Sequence, residues 1–535
     1  MLWIALHLPL LSLESFSATL PLRGGELPGE PAGAVFRPIA LVDNHHIVSA
    51  NADAQSLGVK AGIKRATALA LAPQLTLGQA DAARDAQALT CVAHAALAFT
   101  PSVCFEPGEA QAASTVLLEV QGSLRYFGGR NALLRRLRAA LAPLDHVVQC
   151  ASAPTPQGAA LLARIEAPHE GRHAADLASL ARLLDAAPVW LMGPGREHWE
   201  ALQGMGLRTL EDLRRLPRAG IARRFGAGLL DELDRARGSR PDPRDWVTLP
   251  QVFASRLELF ARADTTEQVL HGASVLLARL VAWASAQHAR VRRFTLKMQH
   301  EPRHRHDART PPDSALEIAL AEASCDASHL LVLLRERLAR LQLVAPTLEL
   351  ELHCSDVERR PPPNNELFPT VRSEREGLTR LIERLQARLG CEQVHCLTLC
   401  EDHRPERSSV ACAADAARFG TQAAAMSSAR LRADQALASP QVADPLTPAV
   451  KPVWLLPEPA PLAERLASPL LDGQPLQLLC GPERIEAGWW DAALAARDYF
   501  IAQASDGALV WVYRARLPLA ASGEGEGWFL QGRFG

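Results

Sequence analysis

Arginine is the residue type in this chain whose clustering points most directly to chemistry, and that chemistry is the binding of phosphate. Arg218, Arg223 and Arg224 fall in the run PRAGIARRFG, 217–226, shortly after glycine-broken turns at Gly193-Pro194-Gly195 and Gly204-Met205-Gly206. Glycine at a helix start lets backbone N–H groups approach a phosphate, and guanidinium groups add contacts that do not depend on base sequence. A second cluster, Arg290, Arg292, Arg293, Lys297, Arg303 and Arg305, with His300, His304 and His306 close by, flanks an alternating segment. It fits the tracking of a phosphate backbone, with an affinity that falls steeply as salt rises. The plainer alternatives are a solvated arginine face for the first cluster and an aggregation-blocking strand edge for the second. Cys391, His395, Cys396, Cys400 and His403 are metal-ligand types. His395 and Cys396 are adjacent, however, and no second cluster completes a tetrahedral site, so no metal and no cofactor is expected.

The elements that must carry these residues follow from length and pattern. A chain of 535 residues forms several domains, each with its own core. The formal net charge is -2, so overall charge names no partner. Ten cysteines without a C-x-x-C pair predict reduced thiols and a cytoplasmic protein. The opening MLWIALHLPLL lacks a basic start and is interrupted by His7 and Pro9, so it reads as a buried strand and not as a signal peptide. No apolar run approaches the roughly 20 residues of a membrane span, and no membrane partner is expected.

From Leu2 to Leu8 large aliphatic residues alternate with Trp3, Ala5 and His7, the period of a strand. Between Ser49 and Leu75 a short helix, Asp53 to Leu57, is ended by Gly58, and a second, Lys64 to Leu71, is closed by Pro73. Another helix, about Ala80 to Phe99, precedes the strand Thr115 to Val120, and an amphipathic helix runs from Asn131 to Leu141. Short helices broken by glycines fill Leu177 to Arg240. Beyond them, alternation at Arg256–Phe260, Arg293–Met298, Ala315–Leu320 and Thr347–His353, with helical periodicity at Thr266–Gln287 and Ala327–Leu341, gives the order βαββαβ of a ferredoxin-like domain.

The segment SANADAQSLGVKAGIKRATALALAPQL resembles the fingers of Y-family, translesion DNA polymerases, in which N-Y-E-A-R-x-x-G-V-K-x-G-M precedes an A-x-x-L-x-P helix. In that family the Tyr and Arg grip the incoming triphosphate; the matching positions here are Ala52 and Gln55. The family's first strand carries an Asp that binds both catalytic magnesium ions, with a second Asp two residues on. Here these positions are His7 and Pro9, and a neutral imidazole is a poor ligand for so hard an ion. The resemblance also implies an Asp-Glu pair on a later strand. Only Glu106 and Glu119 lie in that region, and two-metal phosphoryl transfer needs several carboxylates converging on ions about 3.5–4 Å apart. The lysines of the family's G-I-S-x-N-K-x-x-A-K turn have no counterpart in Ala151 to Ala160. The glycine-broken helices resemble the family's helix-hairpin-helix thumb, and the βαββαβ segment its DNA-tracking little finger.

Beyond that segment, Asn364-Asn365-Glu366-Leu367-Phe368 lies between prolines and resembles the Q-x-[DLS]-L-F peptide by which bacterial DNA polymerases hold the sliding clamp. Asn364 and Glu366 flank the Leu367-Phe368 pair that such a peptide buries. After a helix, Ser373 to Leu389, come D-H-R-P-E-R at 402–407, K-P-V-W-L-L-P at 451–457, G-P-E-R-I at 481–485 and R-D-Y-F at 497–500. Together they resemble the ImuB family, the polymerase-like proteins of the bacterial mutasome. That resemblance implies SOS control and four partners: damaged or primer-template DNA, the sliding clamp, a RecA-like accessory protein of the ImuA type, and an error-prone C-family DNA polymerase.

The expected architecture is α+β: a Y-family polymerase-like right hand of palm, fingers, helix-hairpin-helix thumb and ferredoxin-like little finger, with a C-terminal extension. Palm and fingers span 1–170, the fingers about 24–78, the thumb 171–240 and the little finger 250–356. A linker with the clamp peptide and an alanine-rich tether spans 357–445, and a tryptophan-rich, partner-binding β module 446–535. The expected function is that of a non-catalytic, DNA- and clamp-binding adaptor, and the alternative is a weak translesion polymerase working through Glu106 or Glu119.

Overall fold

The apolar alternation of the first residues places β1 (Trp3–His7) in the middle of a sheet with both faces covered. The computed structural model describes residues 1–21, 36–106, 114–165, 172–301, 311–359, 371–414, 451–452, 454–491, 493–516 and 527–534. They fall into two units, Met1–Arg388 and Leu389–Gly535.

In the first unit α1 (Leu11–Ser17) leads to the fingers: β2 (Ile39–Asp43), β3 (His46–Ala50), α2 (Ala52–Ser56), α3 (Arg65–Leu71) and β4 (Thr76–Gln79). The chain returns through α4 (Ala82–Leu97) to β5 (Val103–Phe105), β6 (Thr115–Glu119), α5 (Leu124–Phe127), α6 (Arg130–Leu141), β7 (Gln149–Ala153) and α7 (Pro156–Arg164). The palm sheet has the order β5-β6-β1-β7, every neighbouring pair antiparallel. On one face Ile4 and Leu6 pack with α4 and α6; on the other Trp3 and Ala5 meet the small residues of α7. Leu6 is fully buried, which stabilises the fold by roughly 1.5–3 kcal/mol.

The fingers keep the frame of their motif for structural reasons. Asn51 caps α2 by accepting from the Ala54 N–H at 3.0 Å, and also accepts from the Ile39 N–H and donates to the Arg37 carbonyl. Ala54 is fully buried, and Gly58 ends the helix at φ +87°, in the left-handed region that suits glycine.

The thumb is α8 (Leu177–Asp185), α9 (Gly193–Glu197), α10 (Trp199–Gly204), α11 (Leu210–Arg215), α12 (Arg218–Phe225) and α13 (Gly228–Arg237). Its core joins that of α7. Gly195 is required by close approach: a Cβ there would lie 2.1 Å from the Val189 carbonyl oxygen.

The little finger is β8 (Phe253–Ala263), α14 (Thr266–Ala286), β9 (Ala289–His300), β10 (Asp313–Ser324), α15 (Ala327–Ala339) and β11 (Thr347–Arg359), the βαββαβ order read from the alternation. The sheet order β10-β9-β11-β8 is antiparallel throughout, so β8 and β9 flank β11 and the split is filled by the domain's fourth strand. One sequence expectation is corrected here. Helix α14 is long and apolar enough to cross a membrane, yet it is mostly buried within this unit, between the sheet and α4. Its buried Arg279 donates to the Ser255 hydroxyl at 3.2 Å, as befits a core helix.

The stretch expected to be linker is also redrawn. Helix α16 (Val371–Leu389) belongs to the first unit. Its buried Glu383 accepts from the Ala321 N–H at 2.6 Å and pairs with His329 at 2.8 Å, fixing the helix to β10 and α15. The second unit starts before 446: β12 (His395–Leu399) and β13 (Ser409–Ala413) form a hairpin whose loop belongs with the C-terminal sheet. That sheet comprises β14 (Trp454–Arg465), β15 (Ser468–Leu471), β16 (Gln474–Pro475), β17 (Gln477–Ala487), β18 (Ala495–Gln503), β19 (Leu509–Ala515) and β20 (Gly527–Arg533), ordered β16-β15-β14-β20-β19-β18-β17. Trp511 and Trp528 are core residues, with Trp511 stacked on Tyr499 at 4.2 Å, whereas Trp454, Trp489 and Trp490 are exposed.

Candidate functional site

Strand register puts the palm residues of interest on one rung. His7 lies opposite Thr115 on β6 and Gln149 on β7, and the Glu106 N–H donates to the Thr115 carbonyl, extending the rung past β5. Residues on one rung share a face, so Glu106, Thr115, His7 and Gln149 all point toward α7. Glu119 sits opposite Trp3, four residues along the strand, or about 13 Å from His7. Glu106 and Glu119 are thus not brought together and could not share an ion.

Glu106 is buried and ion-paired with Arg164 from the end of α7. Arg164 also donates to the Leu191 carbonyl at 3.4 Å. Across from them, burial raises the carboxyl pKa of Glu232 on α13, as does the neighbouring Glu106. Arg164, the Gln157 side chain and the Gly193 backbone oppose that rise. Nδ1 of His7 is 3.1 Å from the Thr115 hydroxyl and 3.3 Å from that of Ser114. Its pKa is lowered to about 4, first by burial, then by the positive charges of Arg164, Arg172 and Arg196, against a hydrogen bond with Ser114 that raises it. The charges that most affect His7 are thus arginines, and among the described residues no three His, Cys, Asp or Glu side chains converge on a metal-sized site. Arg164, Arg172 and Arg196 belong to no motif, and nothing in the sequence pattern singles them out.

The two positions matched to triphosphate contacts lie on α2. Ala52 and Gln55 are exposed, and Gln55 donates back to the Ala50 carbonyl at 2.7 Å. Pro9 follows β1 at the surface.

His7 sets a pH response together with His94 of α4, which burial likewise lowers to about 4. Unfolded, each returns to the model-peptide value of 6.5. Between about 4 and 6.5 the unfolded chain binds more protons than the folded one, so stability is complete above this window and declines as pH falls through it. Urea midpoints of the first unit should drop between pH 7.5 and pH 4.5, each histidine removing up to about 3 kcal/mol, and a flat profile would contradict this.

The basic residues divide by partner. Arg218 is engaged by Asp234 in a two-pronged pair, 2.5 and 3.1 Å, whereas Arg223 and Arg224 on the same helix are exposed and have no carboxylate partner among the described residues. In the little finger Arg290 lines a cavity of about 290 Å³ with Cys325, Asp326, His329, Arg380 and Glu383. Arg292 is exposed, Arg293 pairs with Glu317 at 3.0 Å, and Lys297 lies across from Glu351. The solvent face of this sheet alternates in charge, since Arg256 is likewise paired with Glu349. Arg303, Arg305 and the peptide Asn364 to Phe368 lie outside the described residues.

In the second unit the D-H-R-P-E-R run is a staple. Arg404, 3% exposed, bonds Asp402, Asp491 and the Ala493 carbonyl at 2.6–3.1 Å and lies over the Trp490 ring. Glu406 accepts from Arg497 at 2.9 Å, and Arg407 pairs with Asp491 at 2.6 Å. Arg404 holds the Asp491 carboxyl down to about 2. The loop between β12 and β13 is thereby fixed to the turn after β17 and to β18.

No protein-family model matches the chain. Over 508 residues, 90% of this chain and 100% of the relative, it is 27% identical to protein ImuB of Caulobacter vibrioides strain NA1000 / CB15N, and to the same extent to ImuB of strain ATCC 19089 / CIP 103742 / CB 15. Similar solved structures include a Dbh ternary complex (TM-score 0.35, 16% identity, 67% of this chain and 99% of that one). DinB from Sulfolobus solfataricus is another (TM-score 0.36, 16% identity, 66% and 98%). The likeness read from the motifs thus runs through 90% of the chain, which along that length is similar to protein ImuB.

Proposed function

We propose that this protein is a non-catalytic, polymerase-like adaptor that binds primer-template DNA and the sliding clamp and brings an error-prone polymerase to damaged template. The observation that carries the reading is the palm rung, where Glu106, the buried carboxylate that the described strands place there, is paired with Arg164 beside a His7 kept neutral by burial and by nearby arginines. Magnesium-dependent nucleotidyl transfer asks for the opposite charge. The likeness to ImuB supports the same reading, as it implies a clamp, a RecA-like ImuA-type protein and a C-family polymerase as partners in SOS-controlled mutagenesis. Mechanistically this is multivalency: several weak contacts raise the effective concentration of the recruited polymerase without new chemistry.

On this proposal DNA is held chiefly by the thumb, because Arg223 and Arg224 are free to meet phosphates while Arg218 and Arg293 are already paired. Fluorescence anisotropy with a primer-template duplex tests it. Arg223→Gln with Arg224→Gln should weaken binding uniformly across sequences and reduce the slope of log K against log salt by about 2. Arg293→Gln should change little. Unaltered binding by the thumb variant would overturn the assignment.

A further inference from the structure

All ten cysteines are free, and two of them stand directly opposite each other across the β12–β13 hairpin: Cys396 and Cys412. The Cys400 N–H donates to the Ser408 carbonyl and the Ala414 N–H to the Val394 carbonyl, both at 2.8 Å. These bonds mark the outer rungs as hydrogen-bonded pairs. By alternation Cys396 and Cys412 are also such a pair, for which the Cα separation is about 5.5 Å. That Cα separation lies within the span a disulfide bridges, and the β-carbons of such a pair, about 5.5 Å apart, close by about 1 Å when the bond forms. Both side chains share one face of the hairpin with Thr398, whose hydroxyl is 3.1 Å from the Cys412 sulfur. Cys412 is exposed and Cys396 half-buried, so an oxidant reaches at least one of them, and side-chain rotation with a small closing of the two strands brings the sulfurs together. Cys400 is on the same face, but four residues along β12, about 13 Å from Cys396. Burial raises the thiols of Cys91, Cys104 and Cys354 to about 11, which keeps them protonated and unreactive.

We propose that Cys396 and Cys412 form a reversible disulfide across this hairpin when the protein meets hydrogen peroxide. One thiolate attacks a peroxide oxygen, the O–O bond breaks, and a sulfenic acid and hydroxide result. The second thiol then attacks the sulfenic sulfur, the S–S bond forms, and the hydroxyl leaves as water. Overall two thiols lose two electrons and two protons and one peroxide becomes two waters. A small dithiol reductant reverses the step by thiol-disulfide exchange. The bridge has a structural consequence. A two-stranded hairpin is marginal on its own, and this one carries the Arg404 and Glu406 anchors in its loop, so closing its base fastens the anchored loop during oxidative stress.

The test uses the full-length protein treated with stoichiometric peroxide, followed by peptide mass spectrometry without reductant. The peptides carrying Cys396 and Cys412 should be joined with a loss of about 2 Da, reversed by dithiothreitol. The link should persist in Cys391→Ser and Cys400→Ser and vanish in Cys396→Ser and in Cys412→Ser. Amide exchange across 395–413 should slow on oxidation by about ten-fold in the wild-type chain. A link that survives Cys396→Ser, or oxidation of Cys412 to sulfinic acid with no link, overturns the proposal.

Discussion

Arg404→Ala should destabilise the C-terminal unit by about 3 kcal/mol and leave the first unit unchanged, because the substitution empties a buried guanidinium position and strands its partners. The Asp402 and Asp491 carboxylates and the Ala493 carbonyl all lose a donor, and the Trp490 ring loses the cation lying over it. For a unit of this size the thermal transition should fall by on the order of 10 °C in calorimetry. The contrast is Arg484→Ala. Arg484 also pairs with an aspartate, Asp498 at 2.9 Å, but in the open, and its removal should leave the transition in place. If the two variants behave alike, the D-H-R-P-E-R loop is not the staple its hydrogen bonds describe. Gly488 belongs to the same joint: at φ +83°, any Cβ there would lie 2.1 Å from the Ala493 carbonyl oxygen.

The second large effect concerns partner binding. Leu367→Ala with Phe368→Ala should weaken binding to a bacterial sliding clamp at least about a hundred-fold, since buried aromatic and aliphatic anchors carry most of the energy of such peptides. The stretch is bracketed by secured elements, with β11 ending at Arg359 and α16 held through Glu383. DNA affinity, carried by other residues, should not change. Surface plasmon resonance against immobilised clamp reads the first expectation and anisotropy the second. Clamp binding that is indifferent to the double substitution would instead favour a DNA-repair scaffold unrelated to the clamp.

Local periodicity made much of this fold legible. The alternation in WIALH gave β1 to within a residue, and the four alternating runs and two helical stretches of the little finger reappear in order. The Asn51, Ala54 and Gly58 frame was readable because capping, burial and a left-handed turn each demand a particular residue type. What the pattern hid depends on distance in sequence. Arg164 meets Glu106 from another segment of the palm, and Arg172 and Arg196 lie farther still, so nothing local discloses the arginines that act on His7. Likewise the arginine clusters do not reveal that Asp234 occupies Arg218 or that Glu317 faces Arg293. The second unit starts before 446 for a related reason: Asp402 to Arg407 is tied to the C-terminal sheet by Asp491 and Arg497, over 80 residues away, which no local pattern discloses. The periodicity at Thr266–Gln287 gave helix α14, but not that it is apolar enough to span a membrane, since Arg279 lies within it and only its contacts show the arginine buried.

The central claim is tested most directly by primer extension with the purified protein on damaged and undamaged templates, in magnesium and then in manganese, with DNA binding followed in the same samples. Salt-sensitive binding without extension in either metal is the predicted result. Extension that survives purification and disappears on Glu106→Ala would show a working palm and contradict the adaptor account.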